Sequence, residues 1–188
     1  MSLDHAISVY TNGDTLPAEV VEMFKNELAE SCRASPDADR WRFVTVSAVD
    51  SSGHVLGGAH MDIGPLEFGP LAEERLAYLE QFLVLPEYRG QGLGTSLLLR
   101  AVEESTARGC SHIRCNVSWG NPAAIAVYRK AGFALTCLED GEYFAVKPTR
   151  AASCRASPAL ASQPCRTARL PSTASTDTQG RVAGRWGK

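Results

Sequence analysis

The chain has 188 residues, 44% of them hydrophobic and 21% charged, with a formal net charge of −2. That length suits one domain or one domain with a tail, and the composition is that of a folded chain. No stretch approaches the roughly 18 apolar residues of a membrane helix, and the near-neutral total gives no argument for a nucleic-acid partner.

Residues 6–10 read as a strand, closed by a turn at Asn12-Gly13-Asp14. Thr15 then reads as a helix N-cap ahead of Pro17, with Glu19 and Glu22 in the first turn. Val20, Val21, Phe24 and Leu28 recur at helical spacing, which predicts one amphipathic helix from residue 16 to about 32. A second, short helix is expected at 37–40. Residues 43–49 alternate apolar and polar, Asp50-Ser51-Ser52-Gly53 turns, and 55–63 returns as the partner strand. Gly57-Gly58 marks a bulge or a close backbone approach in its middle. Residues 64–70 read as a loop and 75–85 as a strand stopped by Pro86.

Leu93, Leu97, Leu98, Ala101 and Val102 define the next helix, which ends at Gly109. Residues 112–117 form a strand, and 122–130 a short helix with Asn121 at its N-cap and Gly132 past its end. Residues 133–138 and 143–147 make a last hairpin. From Arg150 the composition changes: residues 150–188 carry 7 Lys/Arg against 1 acid, whereas residues 1–149 carry 12 against 20. The only large apolar residues of this basic stretch are Leu160, Leu170, Val182 and Trp186, too few to offset chain entropy. The expected division is a folded domain over 1–149 and a disordered tail over 150–188. The hexapeptide at 31–36 recurs at 153–158 with unrelated flanks, so it is not a fold repeat.

Six dispersed cysteines with no Cys-x-x-Cys pair point to buried thiols in a reduced compartment, cytoplasmic with the nucleus as alternative. Residues 1–5 lack the basic and apolar run of a secretory leader. His5, His54 and His112 have no metal-ligand spacing, so no metal is expected. His60 reads as a satisfied strand histidine beside Asp62 rather than as part of an acceptor pocket.

The informative segment is 78–128. A strand, Tyr78-Leu79-Glu80-Gln81-Phe82-Leu83-Val84-Leu85, leads through Pro86-Glu87-Tyr88 to Arg89-Gly90-Gln91-Gly92-Leu93-Gly94-Thr95, which opens a helix. Strand, glycine-rich turn and helix N-terminus make a site for a pyrophosphate, because glycines let the backbone approach and unpaired amides point outward. Arg89 adds a positive charge. The glycine spacing is not that of a dinucleotide fold, and the Gly-Lys-Ser/Thr of a P-loop is absent.

The pattern Arg89-x-x-Gly92-x-Gly94, followed by Asn121-Pro122-Ala123-Ala124-Ile125-Ala126-Val127-Tyr128-Arg129-Lys130-Ala131-Gly132-Phe133, resembles the GNAT superfamily of acetyl-CoA-dependent N-acetyltransferases over about residues 6–147. Within it, Tyr78-Leu79-Glu80 ahead of Pro86-Glu87-Tyr88-Arg89-Gly90-Gln91-Gly92 looks most like the diamine (spermidine/spermine-type) enzymes. The resemblance implies an α/β (α+β) fold with a mixed, mostly antiparallel six- to seven-stranded sheet flanked by helices. It implies acetyl-CoA held by Arg89, Gly90, Gln91, Gly92, Leu93, Gly94, Thr95, Asn121 and Ala124, with backbone amides near Phe82, Leu83 and Val84 facing the reacting carbonyl. It leaves room for a homodimer.

The chemistry assigns two further roles. An alkylammonium has a pKa near ~10.4, so the acceptor must lose a proton before its nitrogen attacks a thioester. Glu80, on the strand entering the turn, is the candidate base, directly or through water. The leaving thiolate needs a proton, and Tyr128 is the candidate acid. A positioned amine attacks directly, so Cys110 and Cys115 are not nucleophiles. The acidic set Asp62, Glu67, Glu73, Glu74, Glu139, Asp140 and Glu142 favours a small cationic acceptor such as a diamine. Rival readings are acetylation of a peptide or antibiotic amine, and an acyl-CoA-binding regulatory module without catalysis.

Overall fold

The computed structural model describes residues 5–11, 14–33, 42–65, 74–138 and 141–149. The expected helix at 37–40, most of the loop after Gly64, the turn residues 12–13 and 139–140, and the whole of 150–188 lie outside them. The chain runs β1 (His5–Thr11), α1 (Ala18–Met23), α2 (Lys25–Arg33), β2 (Arg42–Asp50), β3 (Val55–Pro65), β4 (Arg75–Val84), a 3₁₀ turn (Pro86–Tyr88), α3 (Leu93–Ala107), β5 (His112–Ser118), α4 (Pro122–Lys130), β6 (Ala134–Cys137) and β7 (Glu142–Pro148). The strands form one sheet in the order β1-β2-β3-β4-β5-β7-β6. Its neighbours are antiparallel except β4 and β5, which α3 joins as a parallel pair.

Strand alternation divides the side chains between two faces. Val44, Val46, Ala59, Met61, Ile63, Ala77 and Leu79 turn to one face, where Leu97, Leu98 and Ala101 of α3 and Ile125 and Tyr128 of α4 complete the main core. On the other face Val20 and Phe24 pack with Val55, Tyr10 and Leu83. Among the described residues no helix is long and apolar enough to cross a membrane.

Three expectations need correction. The single helix from 16 to 32 is two helices, broken at Phe24 (φ −117°, ψ 22°). The break lets the fully buried Phe24 ring drop onto the sheet over Gly58, where no side chain stands in the way. Val21, placed on the same stripe by helical spacing, is 43% exposed. Thr15 does not cap α1; Pro17 precedes it in extended conformation with no side-chain cap, and Glu19 instead accepts the Val55 N–H at 2.8 Å, tying α1 to β3. Finally β3 continues through Gly64 to Pro65, because these residues pair with Leu76 and Arg75 rather than forming a loop.

The close approach expected at Gly57-Gly58 is present. A Cβ at Gly57 would lie 2.7 Å from the Leu83 carbonyl oxygen, and one at Gly58 2.6 Å from the Val46 carbonyl oxygen. The register shift beside them leaves Leu56 as an extra residue opposite Ala48 and Val49, and its carbonyl accepts the Leu85 N–H.

Candidate active site

The chemistry-bearing segment is organised by two irregularities of β4. The first is a bulge: Met61 pairs with Leu79 and His60 with Gln81, so Glu80 is the extra residue between them. The bulge resets the alternation. Leu79 enters the core beneath α3, Glu80 is exposed, and Gln81 lies on the α1–α2 side, where its amide donates to Glu27 Oε2 at 2.9 Å and the Met23 carbonyl at 3.3 Å. Phe82 then returns to the α3–α4 side, its ring centroid 6.0 Å from that of Tyr128. Without the extra residue, Phe82 and Glu80 would share a face. With it, Glu80 and Tyr128 stand on opposite sides of the sheet.

The second irregularity is a splay. β4 and β5 pair only where Leu76–Tyr78 meets His112–Arg114. Beyond that point the described part of β5 pairs with β7, and the β5-facing edge of β4 opens. Leu85 N–H points to β3, so alternation directs the N–H groups of Phe82 and Val84 into the opening. The Val84 carbonyl on that edge accepts from Arg89 Nε at 2.8 Å, which folds the turn back against the strand.

The turn ends in left-handed glycines, Gly90 at φ 75° and Gly92 at φ 85°. A Cβ at either would meet nothing within 4 Å, so the space over the turn is open. Gly92 caps α3 without a side-chain hydrogen bond, and the helical ladder begins with Ser96 N–H donating to the Gly92 carbonyl. The N–H groups of Leu93, Gly94 and Thr95 therefore face outward as an anion cradle. At Gly94 a Cβ would touch Phe82 Cζ at 3.4 Å and Val84 Cγ2 at 3.5 Å, so the helix end seats against the opened strand. An open cradle of unpaired amides beside a gap in the sheet fits the pyrophosphate and thioester of acetyl-CoA.

α4 closes the other side. Asn121 Oδ1 accepts from Ala124 N at 3.1 Å, and Pro122 occupies the first turn. Tyr128 is 4% exposed and packs edge-on against Phe133, centroids 5.3 Å apart. The Cys115 thiol lies beside it in the core. Burial pushes the Tyr128 phenol well above its ordinary value, and burial likewise raises the Cys115 thiol to about 12. Both hold their protons at neutral pH.

His60 is fully buried between the rings of Phe24 and Phe43, centroids 5.9 and 5.6 Å away. Its Nδ1 is 2.8 Å from Thr45 Oγ1, its Nε2 lies 3.9 Å from Asp62 Oδ1, and burial lowers its pKa to about 4. It is the satisfied strand histidine expected from its setting. Glu67, Glu73, Glu139 and Asp140 of the acidic set lie outside the described residues. Among those described, no three His, Cys, Asp or Glu side chains converge as metal ligands. A cavity of about 220 Å³ lined by Thr11, Arg42, Phe43, Ile63, Arg75 and Arg108 sits at the opposite end of β4 and α3, away from the splay.

Sequence reasoning missed the bulge and the Gln81–Glu27 link. The signal was present: Glu80-Gln81 is a pair of adjacent polar residues interrupting an otherwise apolar strand.

The model of the acetyltransferase (GNAT) family matches residues 16–133. The chain is 40% identical over 58 residues to the thialysine N-epsilon-acetyltransferase of Mus musculus, a match covering 31% of this chain and 34% of that one. It is 33% identical over 107 residues to the streptothricin acetyltransferase of Streptomyces lavendulae, covering 57% of this chain and 51% of that one. The chain thus spans about a third to a half of the length of these curated relatives. Among solved structures, the spermidine N-acetyltransferase of Vibrio cholerae in complex with CoA and spermine aligns with a TM-score of 0.54 at 17% identity, over 76% of this chain and 95% of that one. That likeness is one of fold.

Proposed function

The chain belongs to the acetyltransferase (GNAT) family, and from that premise we propose that it transfers an acetyl group from acetyl-CoA to a primary amine of a small diamine-like acceptor. The observation that carries this reading is the splay of β4 from β5, with Glu80 on one side of the sheet and Tyr128 on the other. When bound, acetyl-CoA supplies an activated acetyl thioester. The outward amides of Leu93, Gly94 and Thr95, with the turn Arg89, Gly90, Gln91 and Gly92, hold its pyrophosphate. Asn121 and Ala124 border the same cleft from α4.

The backbone N–H groups of Phe82 and Val84, with Leu83 between them on the neighbouring edge, receive the negative charge that grows on the carbonyl oxygen. Glu80 takes a proton from the incoming ammonium, directly or through water, freeing the nitrogen lone pair. Tyr128, kept protonated by burial, gives its proton to the leaving sulfur from the far side, and the second proton of the attacking nitrogen passes to solvent, which reprotonates the phenol. Base and acid on opposite faces suit an acceptor and a leaving group that meet only at the opening. No covalent enzyme intermediate is needed.

The acceptor is read from charge. Asp62 and Glu80 lie on the acceptor side, in a domain whose acids outnumber its bases. The names of the relatives agree in kind, since thialysine, spermidine and streptothricin transferases all act on amines. Similarity over 107 residues favours an antibiotic amine as the second reading. A screen of CoA-thiol release over polyamines, amino acids, aminoglycosides and peptides tests the choice: diamine-type acceptors should be used best, and peptides outrunning every diamine would overturn it.

A further inference from the structure

Arg114 stands on β5 opposite Tyr78, at the last position that β4 and β5 share before they part. Its neighbours Ile113 and Cys115 are buried in the core beneath α3 and α4. Alternation therefore turns Arg114 to the other face, the face of Tyr78 and Glu80. The guanidinium lies over the Tyr78 ring, with Cζ 5.3 Å from the centroid. Its Nε is buried and finds no hydrogen-bond acceptor. Among the described residues it makes no ion pair with a carboxylate.

A guanidinium is always charged and presents donors in a fixed fork that fits a carboxylate in bidentate fashion. A half-buried one with a donor unspent, at the mouth of an otherwise acidic site, calls for an anion. An unsubstituted diamine cannot supply it, being cationic at both ends, and Arg114 would repel its second ammonium. A diamine that also bears a carboxylate meets both charges, its reacting nitrogen at Glu80 and its carboxylate at Arg114.

We propose that Arg114 receives the carboxylate of a lysine-type acceptor and so selects amino-acid diamines over plain ones. This rests on the small-amine acetyltransferase reading above. The test compares lysine with cadaverine, which differ only by that carboxylate, in initial-rate kinetics of the full chain. The wild type should favour lysine in kcat/KM by about tenfold or more, the worth of a charge-assisted contact. In Arg114→Gln that ratio should collapse toward one, chiefly through KM for lysine, and Arg114→Lys should restore part of it. Because each ratio is taken on one preparation, partial misfolding of a variant does not disturb it. A ratio that R114Q leaves unchanged, or a wild type that favours cadaverine, overturns the role of Arg114 while leaving the acetyltransferase reading standing. Acetylation of a peptide but of neither diamine overturns both that role and the small-amine reading.

Discussion

The Tyr128 phenol and the Cys115 thiol are neighbours in the core, at 4% and 1% exposure. Neither ionises near neutral pH, because desolvation disfavours both charged forms. Both groups therefore keep their protons at neutral pH, which makes the buried thiol a poor nucleophile.

Tyr128→Phe keeps the ring contacts with Phe82 and Phe133 and removes only the proton. kcat should fall by about 10²-fold or more, while acetyl-CoA affinity measured by calorimetry stays near wild type. An unchanged kcat removes Tyr128 from the mechanism.

Gly58→Ala should destabilise the fold. Its Cβ would lie 2.6 Å from the Val46 carbonyl oxygen and 2.9 Å from Phe24 Cζ, so the backbone or the α1–α2 junction must shift. The expected cost is about 1–3 kcal/mol by chemical denaturation, in the range of overpacked cores. A variant as stable as wild type would mean that Phe24 is not seated on the sheet.

His60 sets a pH dependence. Its folded-state pKa of about 4 lies below the unfolded value of 6.5, so the unfolded chain binds the proton first as pH falls. Stability from this group is complete above pH 6.5, declines between 6.5 and about 4, and reaches a loss of roughly 3 kcal/mol at the lower limit. Denaturation midpoints measured across that window should fall more steeply for wild type than for His60→Gln. Equal slopes would show that His60 is not neutral in the folded chain.

Much of this was legible locally. The order of strands and helices follows from residues such as Leu93, Leu97 and Leu98 at helical spacing and from the alternation of 43–49, and α4 begins at Pro122 because Asn121-Pro122 is a complete start signal. The helix break at Phe24 was not legible, since its cause, Gly58, lies across the sheet and 34 residues away in the chain. The same holds for Tyr128 and Cys115, which only the packing of α4 on β5 brings together. The sequence offers Arg89 as a charge for an anion, yet its Nε donates to the Val84 carbonyl, so it also fastens the turn.

The domain boundary gives a further prediction. Thr149 N–H donates to the Ser111 carbonyl at 3.0 Å, and its hydroxyl donates to that of Cys110, closing β7 onto the start of β5. A chain ending at Thr149 should keep the thermal midpoint and acetyl-transfer rate of the full chain. A loss of either would extend the working unit into 150–188.

The most direct measurement is the rate of acetyl transfer to a diamine-type acceptor by wild type and by Glu80→Gln, with acetyl-CoA affinity determined on both. Wild type should release CoA thiol only when the amine is present. The variant should bind acetyl-CoA as tightly while losing about 10²-fold or more in kcat at neutral pH. A wild type that binds acetyl-CoA but transfers to no amine, or a Glu80→Gln enzyme of undiminished rate, would contradict the account.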